Sequence, residues 1–132
     1  MSGKAKVPTH EILRHDWSNF FDSFSRQHEG WLAILELLDP DIGAQEEVHD
    51  GSLEGVSIAS GNDAKDRITI SMGKRTGDHL SHSIDRPTHV WLQQISDGVD
   101  AALLIESENQ PKTLLRFRSP VLPEFVDGVV LD

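Results

Sequence analysis

Twelve consecutive residues, Asp78 to His89, gather three histidines (His79, His82 and His89), two aspartates (Asp78 and Asp85) and Arg86. Imidazole nitrogens and carboxylates are the ligands zinc, nickel and copper prefer, and a catalytic zinc takes three protein ligands with one open position. The same groups suit proton transfer, with an aspartate orienting an imidazole and Arg86 holding an anionic substrate. The spacing counts against a shared ion. Side chains alternate along a strand, so His79 and His82 point to opposite faces unless a bulge lies between them. The reading of this segment is a strand with Leu80, His82 and Ile84 towards the core and His79 towards solvent. No metal and no cofactor are assigned to it.

Other chemistry has less to rest on. None of the serines sits in a Gly-x-Ser-x-Gly elbow. The glycines from Gly55 to Gly61 and from Gly73 to Gly77 have the distribution of hairpin turns and form no strand-to-helix phosphate cradle. The acids from Asp39 to Asp50 lack the ladder, central glycine and terminal glutamate of a calcium loop. His28 is read as a ring suited to the negative end of a helix rather than as a ligand.

The elements that position these residues are legible from periodicity. Trp17, Phe20, Phe21, Phe24 and His28 share one helical face and hold four of the eight aromatic residues in the chain. Asp16 is placed to cap this helix, and Gly30 to end it. Trp31 to Leu37 reads as a buried strand and Asp39-Pro40-Asp41-Ile42-Gly43 as a turn. Short strands are expected next: around Leu53 between Gly51 and Gly55, then Arg67 to Met72 after an Asn62-Asp63 turn, then Leu80 to Ile84. Thr88 to Ile95, Ala101 to Glu106 and Thr113 to Arg118 follow, with turns at Ser96-Asp97-Gly98 and Glu108-Asn109-Gln110-Pro111. No second helical period follows, which predicts an antiparallel sheet rather than alternating α/β units.

A chain of 132 residues supports one domain with its own core. It has no cysteine, no apolar run approaching the roughly 20 residues of a membrane helix, and no secretory signal pattern, so a cytoplasmic protein without membrane contact is expected. The net charge is −10 and unevenly placed. Gln27 to Ala64 contains no Lys or Arg, and its acids include Asp39, Asp41, Glu46, Glu47 and Asp50. Lys65 to Arg86 is mildly basic. Direct nucleic-acid binding needs a concentrated basic face and is disfavoured. The base-free segment would instead suit contact with a basic protein, alongside the plainer reading of a solvated surface.

In Thr88 to Ile95, Val90 and Leu92 share one face and His89, Trp91 and Ile95 the other. A strand apolar on both faces lies between two layers or contributes to an interface, and Trp91 with Ile95 is the candidate patch. Met1 to Pro8 reads as a disordered leader. Residues 119–132 hold two prolines and seven Val, Leu or Phe residues, a composition that predicts an extended segment clamped on residues 9–118.

Several of these residues also carry a resemblance. The order Asp16-Trp17, Phe20-Phe21, Ser25-Arg26, His28-x-Gly30-Trp31, Leu53-x-Gly55-Val56-Ser57, Gly77-Asp78-His79-x-x-His82 and Thr113-Leu114-Leu115-Arg116-Phe117-Arg118 resembles a bacterial family classed as a domain of unknown function. The similarity spans roughly Ile12 to Arg118 and implies a small single-domain protein. It implies no catalytic residues.

The combined expectation is an α+β domain in which an N-terminal amphipathic helix packs on a bent or barrel-like antiparallel sheet of six or seven strands. The expected function is a non-catalytic binding or accessory module acting through another protein, with His79, His82, Arg86, His89 and Trp91 as candidate binding residues and Asp39, Asp41, Glu46, Glu47 and Asp50 as a candidate acidic surface. Two alternatives stand beside it: an acidic, nucleic-acid-mimicking inhibitor of a basic protein, and a small enzyme or metal-binding protein using His79 to His89.

Overall fold

A computed structural model describes residues 9–59, 66–74, 76–96, 99–108 and 110–118. The leader, the Asn62-Asp63 and Asp97-Gly98 turns and residues 119–132 lie outside the described residues. The chain forms β1 (Thr9–Ile12), a 3₁₀ turn (Arg14–Asp16), α1 (Trp17–His28), β2 (Leu32–Asp39), β3 (Gly43–Ala59), β4 (Arg67–Gly73), β5 (His79–Asp85), β6 (Pro87–Ser96), β7 (Val99–Ser107) and β8 (Lys112–Phe117). The strands make one antiparallel sheet in the order β1-β6-β7-β8-β2-β3-β4-β5. The α+β class and the single sheet agree with the sequence. Among the described residues eight strands replace the six or seven expected, because β1 is too short to show a period.

The helix buries most of its predicted stripe: Trp17, Phe21, Phe24 and His28 are buried, and Phe20 is partly buried against the core. Asp16 does not cap it. The 3₁₀ turn leads straight into the first helical turn, with the Asp16 amide donating to the Leu13 carbonyl at 2.8 Å. Asp16 therefore has near-helical dihedrals (φ −100°, ψ −5°), and its side chain makes no capping bond. Gly30 ends the segment at φ +87°, a conformation that favours glycine.

The chief departure is β3, a single 17-residue strand where short ones were expected. Asp50 and Gly51 look like a turn in sequence, but here they mark a change of partner. The first part of β3 pairs with β2 as far as Ser52, and from Ser52 onward it pairs with β4. Asp50 takes φ +58° at this point. Where β2 no longer accompanies β3, other groups cover its backbone. Leu53 exchanges bonds with Trp31 and Gly30, and Ser25 Oγ both accepts from the Val56 amide at 2.8 Å and donates to its carbonyl at 3.0 Å.

This change of partner folds the sheet over. β5 lies four strand spacings from β8, about 19 Å in a flat sheet. Yet His82 Nε2 on β5 is 3.2 Å from Thr113 Oγ1 on β8. Among the described residues the sheet is open, with β1 and β5 at its edges, but bent into a half-barrel around α1. Its concave face holds the core, built from the helix aromatics and Leu35, Ile68, Ile70, Met72, Ile84, Leu103, Ile105 and Leu115. An ion pair between Arg14 and the buried Asp66 ties the start of the helix to the start of β4. No helix among the described residues is long and apolar enough to cross a membrane.

Candidate functional site

The structure disperses the histidine segment. On β5, His79 is exposed and paired with Glu54, while His82 faces inward, half-buried against Thr113. Burial pushes the His82 imidazole below its ordinary value, with Glu47 pulling weakly the other way. Arg86 sits at the β5–β6 corner with φ +52°, exposed, its Nε 3.5 Å from Glu108. His89 and Trp91 stand on β6, on the face away from the core. Among the described residues, no three His, Asp or Glu side chains converge as a metal site requires.

The acidic candidates are also separated by their surroundings. Asp39 is engaged locally, its Oδ1 accepting the amides of Asp41 and Ile42 in the β2–β3 turn. Asp50 is largely buried and bonded to Arg118 at 2.6 Å, and Glu46 meets His49 at 3.1 Å. Asp41 and Glu47 are exposed. The base-free stretch is thus partly neutralised by bases on and just after β8, since Arg116 also makes a two-pronged contact with Glu36. That contact raises the Arg116 pKa, against a smaller effect of burial.

A different surface assembles on the convex face. Strand register lines up one row of outward residues across five strands: Ile34, Arg116, Ala102, Gln93 and Thr9. The next row is Glu36, Leu114, Leu104, Trp91 and Glu11. Leu38 lies beyond it, opposite Lys112. Together Trp91, Leu104, Leu114, Leu38 and Ala102 floor an apolar groove of about 420 Å³, with Thr9, Gln93 and Glu106 in its walls.

The rim is a hydrogen-bonded network. The Trp91 indole N–H donates to Glu106 Oε1 at 3.2 Å, Lys112 lies 3.1 Å from Glu106, and His89 stacks on Trp91 while contacting Glu11 at 2.9 Å. The Trp91 bond, opposed by burial and reinforced by Lys112, holds the Glu106 carboxyl below its ordinary value. Trp91 is therefore held by its polar edge while its ring faces the groove, the two-sided character that suits this residue to interfaces.

Of the sequence candidates, His89 and Trp91 belong to this surface. Ile95 does not line it; the β6–β7 register shifts around Gln94, and Ile95 is 53% exposed. Leu38, Leu104 and Leu114 were missed, although the signal was present: Leu104 falls between core Leu103 and Ile105, and Leu114 between Thr113 and Leu115. Both strands are apolar on both faces, as β6 is.

A second constellation missed by sequence reasoning lies beneath the sheet. His28 is 2% exposed, and its Nδ1 is 2.7 Å from the Phe24 carbonyl. Its Nε2 is 3.2 Å from Asp100 Oδ2. The rings of Phe24, Trp31 and Phe117 surround it at centroid separations of 4.4 to 4.7 Å. Burial pushes the Asp100 carboxyl up, but hydrogen bonds from His28 and Gln94 and the charge of His28 outweigh it and bring it below its ordinary value. His28 is enclosed, while Asp100 keeps a partly exposed side chain.

Comparison with known proteins bears on identity rather than activity. No solved structure matches the chain. An uncharacterized protein of Aquifex aeolicus (strain VF5) is 28% identical over 119 residues, covering 89% of this chain and all of that relative. A family model described as "Family of unknown function" matches residues 8–124, and the chain belongs to that family, DUF5335.

Proposed function

We propose that the protein is a small non-catalytic binding module that engages another protein through the convex groove centred on Trp91. The observation that carries this reading is an apolar strip on the sheet face opposite the core, floored by Trp91, Leu104 and Leu114 and bordered by paired charges. An apolar floor inside a polar rim, with a tryptophan at its centre, is the usual composition of a protein docking site. The dispersal of His79, His82, Arg86 and His89 supports a catalytic role less well. The engagement of Asp39, Asp50 and Glu36 within the fold likewise lends little to an acidic mimic. Cytoplasmic residence fits a chain without cysteine.

The test is capture of a stoichiometric partner from a nuclease-treated lysate by immobilised protein, compared with Leu104→Lys. Loss of the partner on Leu104→Lys, with unfolding unchanged and binding retained at high salt, supports the groove. Equal capture by both proteins overturns it, and binding that vanishes in salt transfers the reading to the acidic surface.

A further inference from the structure

We infer that a cleft between α1 and the outward face of β3 and β4 binds a small polar amino acid in its free, zwitterionic form. The cleft shares no lining residue with the Trp91 groove.

Its walls follow from the partner change in β3. Where β2 leaves β3, α1 takes the vacated place beside the strand. Ser25 Oγ accepts from the Val56 amide at 2.8 Å and donates to the Val56 carbonyl at 3.0 Å, which fixes the helix against β3. The β3–β4 register pairs Gly55 with Ser71 and, on the core side, Val56 with Ile70. Gly55, Ser57 and Ser71 therefore share the outward side. With Asp22 and Arg26 from α1 and Glu54 from β3 they line a cleft of about 490 Å³, the size of a small-molecule site. Gly55 keeps it open: a Cβ there would stand 3.6 Å from Ser25 Oγ, so the missing side chain leaves room against the helix.

The charges in the cleft point to its ligand. Arg14, Arg67, Arg86, Arg116 and Arg118 each pair with an acid, whereas Arg26 has no ion-pair or hydrogen-bond partner among the described residues. In a chain with 22 acids and 12 bases an unmatched arginine is unexpected. Asp22 stands four residues before it, the favoured order for a helical ion pair, yet Asp22 is also unpaired among the described residues. A guanidinium matches a carboxylate with two parallel bonds. Asp22 offers an acceptor to an ammonium, as does Glu54, which also engages His79. A phosphate would bring surplus negative charge to one base and two acids, and a simple amine would leave Arg26 unmatched. An α-amino acid carries both charges on neighbouring carbon atoms and is neutral overall. Ser57 and Ser71 then offer hydroxyls to its side chain, which favours a polar one.

The test is titration of the ¹⁵N-labelled full chain with L-serine, followed by amide chemical shifts. Saturable shifts are expected at Ser25, Gly55, Ser57 and Ser71. N-acetyl-L-serine lacks the positive charge and L-serinamide the negative one, and each is expected to bind several-fold more weakly. Arg26→Gln and Asp22→Asn should each lower L-serine affinity several-fold with urea unfolding unchanged, since both side chains are exposed. No saturable shift, shifts centred elsewhere, equal binding of either singly charged probe, or wild-type affinity in either variant overturns the proposal. Gly55→Val fills the cleft at a position whose φ lies outside the left-handed region, and it is expected to abolish binding; undiminished binding also overturns the proposal. If Gly55→Val fails to fold, the two charge variants decide. Leu104→Lys should leave L-serine binding unchanged, so this site and the docking groove stand or fall separately.

Discussion

His28 and Asp100 illustrate how a residue acquires its role from its surroundings. Two acceptors, the Phe24 carbonyl and the Asp100 carboxylate, face the two nitrogens of the buried imidazole. Removing Asp100 leaves a donor with no partner in an aromatic enclosure. Asp100→Ala is expected to cost about 2–3 kcal/mol at neutral pH, read from urea unfolding. Because the folded pKa of Asp100 is depressed, its stabilisation is complete above the ordinary value of 3.8 and is lost as the pH falls through the folded value. The gap between wild type and variant should narrow below that point.

His82 titrates in a more accessible range. Burial lowers its pKa, so below 6.5 the unfolded chain takes up this proton before the folded one does, and the folded state loses stability as the pH falls. His82→Gln keeps a polar group near Thr113 and removes the titration. Stability measured from pH 7 down to pH 5 should fall less steeply in the variant than in the wild type.

At the scale of elements, β3 determines the shape of the sheet. Gly51 lies where it changes partner, and a Cβ there would meet Val48 Cγ1 at 2.5 Å and the Gly73 carbonyl oxygen at 2.9 Å. The second of these is backbone and cannot swing aside. Gly51→Ala is expected to destabilise the fold by about 1–3 kcal/mol, as overpacking does, and thermal unfolding measures it. The helix was easier to foresee than this strand. A 3.6-residue period in Trp17, Phe21, Phe24 and His28 is contained within the helix itself, whereas Asp50-Gly51 has turn composition and only packing against Val48 and Gly73 makes it a partner switch.

Across the whole molecule, one core serves both halves of the bent sheet, because a single buried cluster takes in the helix aromatics and residues of every strand from β2 to β8. Phe21, 1% exposed, is central to it. Phe21→Ala should cost about 3–5 kcal/mol, and calorimetry should record a single shifted transition rather than the loss of one half. Charge is organised at the same scale: Arg116 on β8 and Arg118 just after it reach Glu36 and Asp50, so a segment without bases in sequence is not without them in space.

The sequence by itself determined the class of the protein: one amphipathic helix, then strands with alternating burial, their order along the chain, and the opposed faces of His79 and His82. These are consequences of local periods of 3.6 and 2, which any single element displays. Tertiary structure alone decided which distant residues meet. The contact of His82 with Thr113, the pairing of His28 with Asp100, and the groove built from Trp91, Leu104, Leu114 and Leu38 all depend on register between strands and on the bend in β3. Alternation tells each strand which side chains share a face, but it does not say which strand lies beside it; the convex surface exists only once five strands are brought into register.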